Sequence, residues 1–207
     1  MAIRRLTEQG RERKQQLLDQ AAQLFASRGY ESTRVIDICE AAGVAKGLFY
    51  WYFENKEALF AELVRDMRLR LRRAQAEAMD SDADALTRIR QGAEASVRFM
   101  SEQRAFFSLF EVEQADRSRA ALLRLGSDVH TADTLVLVTE AQRTGLVPDD
   151  ADPELLALGV VGAVGHFSHF HRTGRITMDV DALAEFVGRW VTRALAGELP
   201  QAVRRTA

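Results

Sequence analysis

Residues 33–56 read TRVIDICEAAGVAKGLFYWYFENK, and the spacing of apolar residues and glycines within them decides the fold. Thr33 is placed to N-cap a helix in which Val35, Ile38, Cys39 and Ala42 recur at i, i+3, i+4 and i+7, a narrow stripe against a core. Gly43 follows at once, suited to a left-handed position at the helix end, and Val44 turns back into the core. A second helix is predicted from Lys46 to Phe53. In it Phe49 and Phe53 share one side, while Gly47, Tyr50 and Trp51 lie on the other. Two aromatics and a glycine on the outer face of a short helix make it poorly soluble and well suited to enter a groove. Helix, glycine turn, helix is the arrangement whose second helix lies in the DNA major groove. Arg34, Lys46, Tyr50 and Lys56 are then expected on phosphates and Gly47, Leu48 and Trp51 at base edges, with Thr33 at the same surface.

Composition supports an all-α chain. Apolar residues make up 47% of 207 residues, with three prolines and no Asn-Gly or Asp-Gly hairpin signal. A single cysteine rules out a disulfide framework and fits a reducing cytoplasm, and Met1 to Gly10 lacks the apolar run of a signal peptide. Nine Lys and Arg against seven acids up to Lys56 leave that portion at +2, whereas the remainder is at −4. A basic head on an acidic body is the expected direction for a nucleic-acid binder.

Before the motif, Arg4, Arg5, Arg11, Arg13 and Lys14 read either as a solvated terminus or as an arm for phosphates or the minor groove. A first helix from Arg11 to Arg28 buries Leu17, Ala21, Leu24 and Phe25 and stops at Gly29. After the motif, Asn55 can cap a fourth helix whose stripe is Leu59, Leu63, Met67, Leu71 and Ala74. A fifth carries Leu86, Ile89, Ala93, Val97 and Met100. Phe106, Phe107 and Phe110 follow Phe99 closely, either as core or as the lining of an apolar cavity. A seventh helix is expected to bury Leu122, Leu125, Val129, Ala132, Val136 and Thr139. Pro153 opens an eighth, uncharged from Leu155 to Ser168 and therefore expected to be buried, in which Gly159, Gly162 and Gly165 allow close approach of another backbone. The ninth carries Leu183, Phe186, Val187, Trp190 and Ala194.

Gly29-Tyr30, Thr33, Asp37-Ile38, Ala42-Gly43-Val44, Lys46-Gly47, Phe49-Tyr50 and Phe53 to Leu59 together resemble the N-terminal signature of the tetracycline-repressor (TetR) family. The resemblance implies about nine helices, with a helix-turn-helix head over 1–54 and a helical ligand-binding and dimerisation body over 55–207. It implies a homodimer on a palindromic operator, joined through the last two helices, with Gly159, Gly162, Phe186 and Trp190 at the interface. It also implies a small apolar or amphipathic inducer in the body, near Phe99, Phe106, Phe107, Phe110, His130 and His166. The expected protein is a cytoplasmic transcriptional regulator, a repressor or an activator, with no cofactor. A small-molecule-binding protein or enzyme built on the body, with a vestigial head, is the alternative.

Catalytic motifs are lacking: there is no Gly-rich phosphate loop, no GxSxG and no paired Cys. His166, His169 and His171 form the only metal-like cluster, without an acid or Cys in the same turn, so no metal site is expected.

Two residues depart from the family's usual pattern, Ala45 in place of Ser and Leu48 in place of Thr. Alanine has no side-chain acceptor to cap the helix it precedes. Ala45→Ser should therefore stabilise the protein by about 1 kcal/mol, read as a raised melting temperature. An unchanged value would mean that another group already caps Lys46 to Leu48.

Overall fold

The structure is a computed structural model; it describes residues 7–112 and 117–197, with the backbone alone over 109–112 and 117–128. The described residues form nine helices: α1 (Glu8–Arg28), α2 (Val35–Ala41), α3 (Lys46–Tyr52), α4 (Lys56–Ala78), α5 (Ala85–Glu102), α6 (Arg104–Val112), α7 (Arg117–Arg143), α8 (Pro153–Arg172) and α9 (Val180–Ala196). No strand occurs among them, as the all-α expectation requires. None of these helices is long and apolar enough to cross a membrane. Arg4 and Arg5, the outer part of the expected arm, lie outside the described residues. Two compact units emerge: the chain up to Met67 with Ala105–Leu123, and Arg68–Arg104 with the chain from Arg124 onward.

The first unit is built on aromatic packing. Along α1, Leu17, Leu18, Ala21, Ala22 and Phe25 are buried, and the helix stops at Gly29, whose φ of 82° a side chain would resist. The Phe25, Tyr30 and Phe60 rings then meet with centroids 5.0, 5.3 and 6.0 Å apart. Each such tilted or edge-on pair contributes about 0.5–1.5 kcal/mol beyond its buried area. Lys14 pairs with Glu62, and Gln15 Nε2 donates to Asp66 Oδ2 at 3.1 Å, so the polar flank of α1 also holds α4.

The start of α2 differs from expectation. Thr33 is fully buried, and its hydroxyl donates to the Gly29 carbonyl at 2.8 Å instead of capping the helix. Arg34 occupies the N-cap position, and Asp37 Oδ2 accepts from its backbone N–H at 2.9 Å. The same carboxylate grips the Arg34 guanidinium, at 3.1 Å to Nε and 2.7 Å to Nη2. These bonds, first the side-chain one and then the backbone one, hold the Asp37 carboxyl down to about 2.

In the second unit α5 packs on α9 and α8. Ile89, Ala93 and Val97 of α5 are buried in one core with Val160 and Val164 of α8 and Leu183, Val187 and Val191 of α9. Gly188 permits the close crossing, because a Cβ there would lie 2.6 Å from Glu94 Oε1. That carboxylate accepts from Arg90 Nη1 at 2.8 Å, and Arg98 Nε donates to Asp181 on α9 at 2.6 Å.

Two sequence expectations fail in this unit. On α7 the buried stripe is Thr131, Thr134, Val138 and Ala141, whereas Ala132 and Thr139 are exposed and Val136 is 66% exposed. Threonines face inward there, so a search for apolar periodicity settles on the wrong face. On α8 the uncharged run is buried on one side only. Ala157, Val160, Val164 and Ser168 face the core, while Leu155, Leu158, Gly159, Gly162 and His166 are exposed.

Asp37 supplies a pH test. Its pKa in the folded state lies below the unfolded value near 3.9, so its stabilisation is present above about pH 4 and is lost as pH falls towards about 2. Asp37→Asn should lower the melting temperature at neutral pH, with the gap to wild type closing as pH drops from about 4 to about 2. A gap of equal size at both ends would remove the carboxylate as its cause.

Candidate nucleic-acid interface

The turn between α2 and α3 sets how α3 is presented. Gly43 takes φ 64°, and Val44 N donates to the Cys39 carbonyl at 3.0 Å, so the chain reverses within four residues. Ala45 then occupies the N-cap of α3 without a side-chain hydrogen bond, as its lack of an acceptor dictates. Behind α3, Phe49 and Phe53 are buried with centroids 5.5 Å apart. On its front, Lys46 and Gly47 are exposed, and Tyr50 and Trp51 are 50% and 51% exposed. Leu48 is half-buried between the two faces.

Such a face combines charge, flat apolar surface and backbone access. Lys46 Nζ lies 5.8 Å from the Tyr50 ring centroid and has no acidic partner among the described residues, so it can meet an anion without first breaking an ion pair. No Cβ stands on Gly47, and a Cβ there would meet nothing within 4 Å, which leaves room for a partner's backbone. Trp51 is held edge-on against Tyr52, at 4.6 Å and 89°, and Tyr52 Oη donates to the Gly10 carbonyl at 2.8 Å. Tyr52 thus ties the attitude of Trp51 to the first turn of α1. Nothing in the spacing of the sequence connects residues 10 and 52.

Two of the residues expected here do other work. Thr33, buried and bonded to Gly29, presents no side chain to a ligand. Lys56 is turned inward: Nζ donates to the carbonyls of Tyr30 at 2.8 Å and Thr33 at 3.0 Å, and lies 4.2 Å from the Tyr30 ring centroid. Those carbonyls lie in the turn before α2, where the Tyr30 carbonyl also accepts from Thr33 N at 3.2 Å, and the ammonium gives each a charged donor. Arg34 remains at the surface, its guanidinium held by Asp37. Asn55 does cap α4, its Oδ1 accepting from Ala58 N at 2.7 Å.

The residues expected around a body ligand divide between the two units. Phe106 and Phe107 meet edge-on at 5.2 Å in the first unit, and Phe99 is buried in the second. The Phe110 side chain lies outside the described residues. His166 stands exposed on the outer face of α8, packed on Phe170 at 4.6 Å. His130 lines a cavity of about 20 Å³ in the second unit, where Gln75, Ser96 and Thr134 supply polar walls. Sequence patterning does not single out Gln75, because a glutamine near the end of a charged helix looks like a solvated residue. Burial pushes the His130 pKa down, partly offset by Asp133, so its ring stays neutral near pH 7.

Comparison with known proteins bears on the first of these surfaces. Residues 17–63 match the family described as bacterial regulatory proteins, tetR family. The HTH-type transcriptional repressor DhaR of Mycobacterium sp. (strain GP1) is 30% identical over 148 residues, 70% of this chain and 74% of its own. YdgC of Bacillus subtilis (strain 168), an uncharacterized HTH-type transcriptional regulator, is 28% identical over 168 residues, 77% of this chain and 80% of its own. A solved TetR-like transcriptional regulator from Rhodococcus sp. RHA1 superposes with a TM-score of 0.71 at 26% identity, covering 90% of this chain and 97% of that one.

The two lysines separate cleanly in a titration of DNA affinity against salt. Lys46→Ala should reduce the slope of log affinity on log salt by about one unit, for specific and random DNA alike. Lys56→Met should leave the slope unchanged and lower stability by about 2 kcal/mol, since two carbonyls lose a charged donor. The reverse pattern would place Lys56, not Lys46, on a phosphate.

Proposed function

The chain belongs to the tetR family of bacterial regulatory proteins, and from that premise we propose that it is a homodimeric repressor which a small ligand releases from a palindromic operator. It is a DNA-binding transcriptional regulator; dimerisation, repression and ligand response are what the following observations support. The observation that carries the reading is the face of α3, with half-exposed Tyr50 and Trp51 on a rigid aromatic backing and Lys46 beside them. In this reading Lys46, Tyr50 and Arg34 meet phosphates, the last after exchanging Asp37 for a phosphate oxygen. Gly47, Trp51 and the exposed edge of Leu48 meet base edges or a thymine methyl. Residues 1–54 act as the reading head and 55–207 as the body. The name of the relative DhaR, a repressor, favours repression over activation.

Support for the dimer comes from apolar surface that the described chain leaves uncovered. Leu155 and Leu158 on α8 are 62% and 49% exposed, and Phe186 and Trp190 on α9 are 41% and 44% exposed. Phe167 of α8 stands 5.7 Å from Phe186 and 5.8 Å from Trp190, which joins the two exposed rings of α9 to α8. Soluble monomers rarely expose such a patch, and a second copy of the same two helices would cover it. A methyl group added at Gly159 or Gly162 would meet nothing within 4 Å, so the close approach these glycines permit is left for the partner. A two-fold pair then presents two α3 helices to half-sites on one face of the duplex.

The ligand would be small, apolar or amphipathic, and held in the body, where the cavity beside His130 is the better-supported location than the phenylalanines. A gel shift with DNA flanking the gene tests the reading directly. Trp190→Glu should give a folded monomer that loses operator binding, because a buried charge without a partner costs several kcal/mol at an apolar interface. Sedimentation showing intact dimers would move the interface elsewhere.

A further inference from the structure

The second unit buries polar side chains where apolar ones would pack as well. Gln75, Ser96 and Thr134 are at most 8% exposed, and all three line the cavity with His130. Gln75 Nε2 donates to Ser96 Oγ at 2.9 Å and faces His130 Nδ1 at 3.3 Å, while Ser96 Oγ donates to the Gly92 carbonyl at 2.6 Å. Thr134 Oγ1 donates to the His130 carbonyl at 3.0 Å, so these three buried groups are bonded, and with the partly buried His130 they give the void a polar wall able to receive a hydrogen-bonding atom. One turn beyond Val164, Ser168 continues the same face of α8, buried and with no hydrogen-bond partner for its hydroxyl.

The rest of the lining includes apolar Ile89, Ala93 and Val160. One side is closed by a side chain that can move. The Met79 methyl lies where a Cβ on Gly92 would be, 2.3 Å from that point, so the thioether fills the space that glycine leaves open. Met79 is only half-buried, at the end of α4, and three rotatable bonds let it swing out without disturbing the backbone. At about 20 Å³ the cavity now has room for one water molecule.

We propose that this cavity is a collapsed ligand site with Met79 as its plug, selective for an uncharged molecule with an apolar body and one hydrogen-bonding head, such as an alcohol. The head would bond to Gln75, Ser96 and His130, and the body would take the space of the displaced thioether. Charged heads are excluded because, among the described residues, no Lys, Arg, Asp or Glu lines the cavity, and a desolvated charge without a partner is strongly disfavoured. His130, kept neutral by burial, does not supply one. The proposal rests on the ligand-responsive reading above and names the ligand class for it.

The test uses the full chain with 1-hexanol, hexanoate and hexylammonium as probes, read by calorimetric binding and by release of operator DNA. Hexanol should bind, at least ten times more tightly than either ion. Met79→Ala should tighten it several-fold, and Gln75→Leu and Ser96→Ala should each weaken it. No hexanol binding to wild type or Met79→Ala, equal binding of hexanoate, or indifference to both polar substitutions would overturn the site. Hexanol that binds with this selectivity yet leaves operator binding unchanged would uphold the site and defeat the ligand-responsive reading instead.

Discussion

A lysine ammonium seated over a buried tyrosine is the contact on which the DNA-reading end depends. Lys56 opens α4, lies over the Tyr30 ring and donates to the carbonyls of Tyr30 and Thr33. Tyr30 in turn closes the ring cluster with Phe25 of α1 and Phe60 of α4. The turn leading into α2 is thereby fixed at its carbonyls, its ring and the Thr33 hydroxyl at once. With α2 fixed, the Gly43 turn leaves α3 little freedom, and the Phe49–Phe53 pair anchors its rear. Rigidity behind α3 matters because a groove-reading surface gains nothing from contacts whose geometry must first be organised.

Much of this was legible in the sequence. The i, i+3, i+4 spacing of Val35, Ile38 and Cys39, the glycine at 43 and the split of aromatics across 46–53 dictate two short helices and their inward faces. What escaped was the use of polar groups. Lysine on a basic motif reads as a phosphate ligand, yet Lys56 donates to two carbonyls of the turn before α2. Threonine before a helix reads as a cap, yet Thr33 was drawn to Gly29, and Asp37 capped from the other side. In the body, Thr131 and Thr134 took inward positions on α7 and left Val136 outside. Hydropathy ranks residue types but not the hydrogen bonds that make a polar residue acceptable inside, and those depend on neighbours distant in sequence.

The body shows two different departures from an ordinary core. Its outer surface carries leucines and aromatics on α8 and α9 that a monomer would not expose, while its interior holds Gln75, Ser96 and His130 around a void. We propose a second copy for the first and a small molecule for the second. In the proposed reading both are covered or filled on binding, which is the linkage a ligand-controlled dimer requires. Sequence alone hinted at the outer face through its glycines, because small residues at i and i+3 have few uses other than close approach.

The central claim is that the outer face of α3 reads DNA through Trp51. The chain contains two tryptophans, so Trp190→Phe leaves Trp51 as the sole indole emitter. In that variant, acrylamide quenching of the free protein should be efficient, as a half-exposed ring requires. Adding operator DNA should shield Trp51 strongly, and random DNA at saturating concentration should shield it much less. Equal quenching with and without operator, under conditions where the complex is fully formed, would contradict the account.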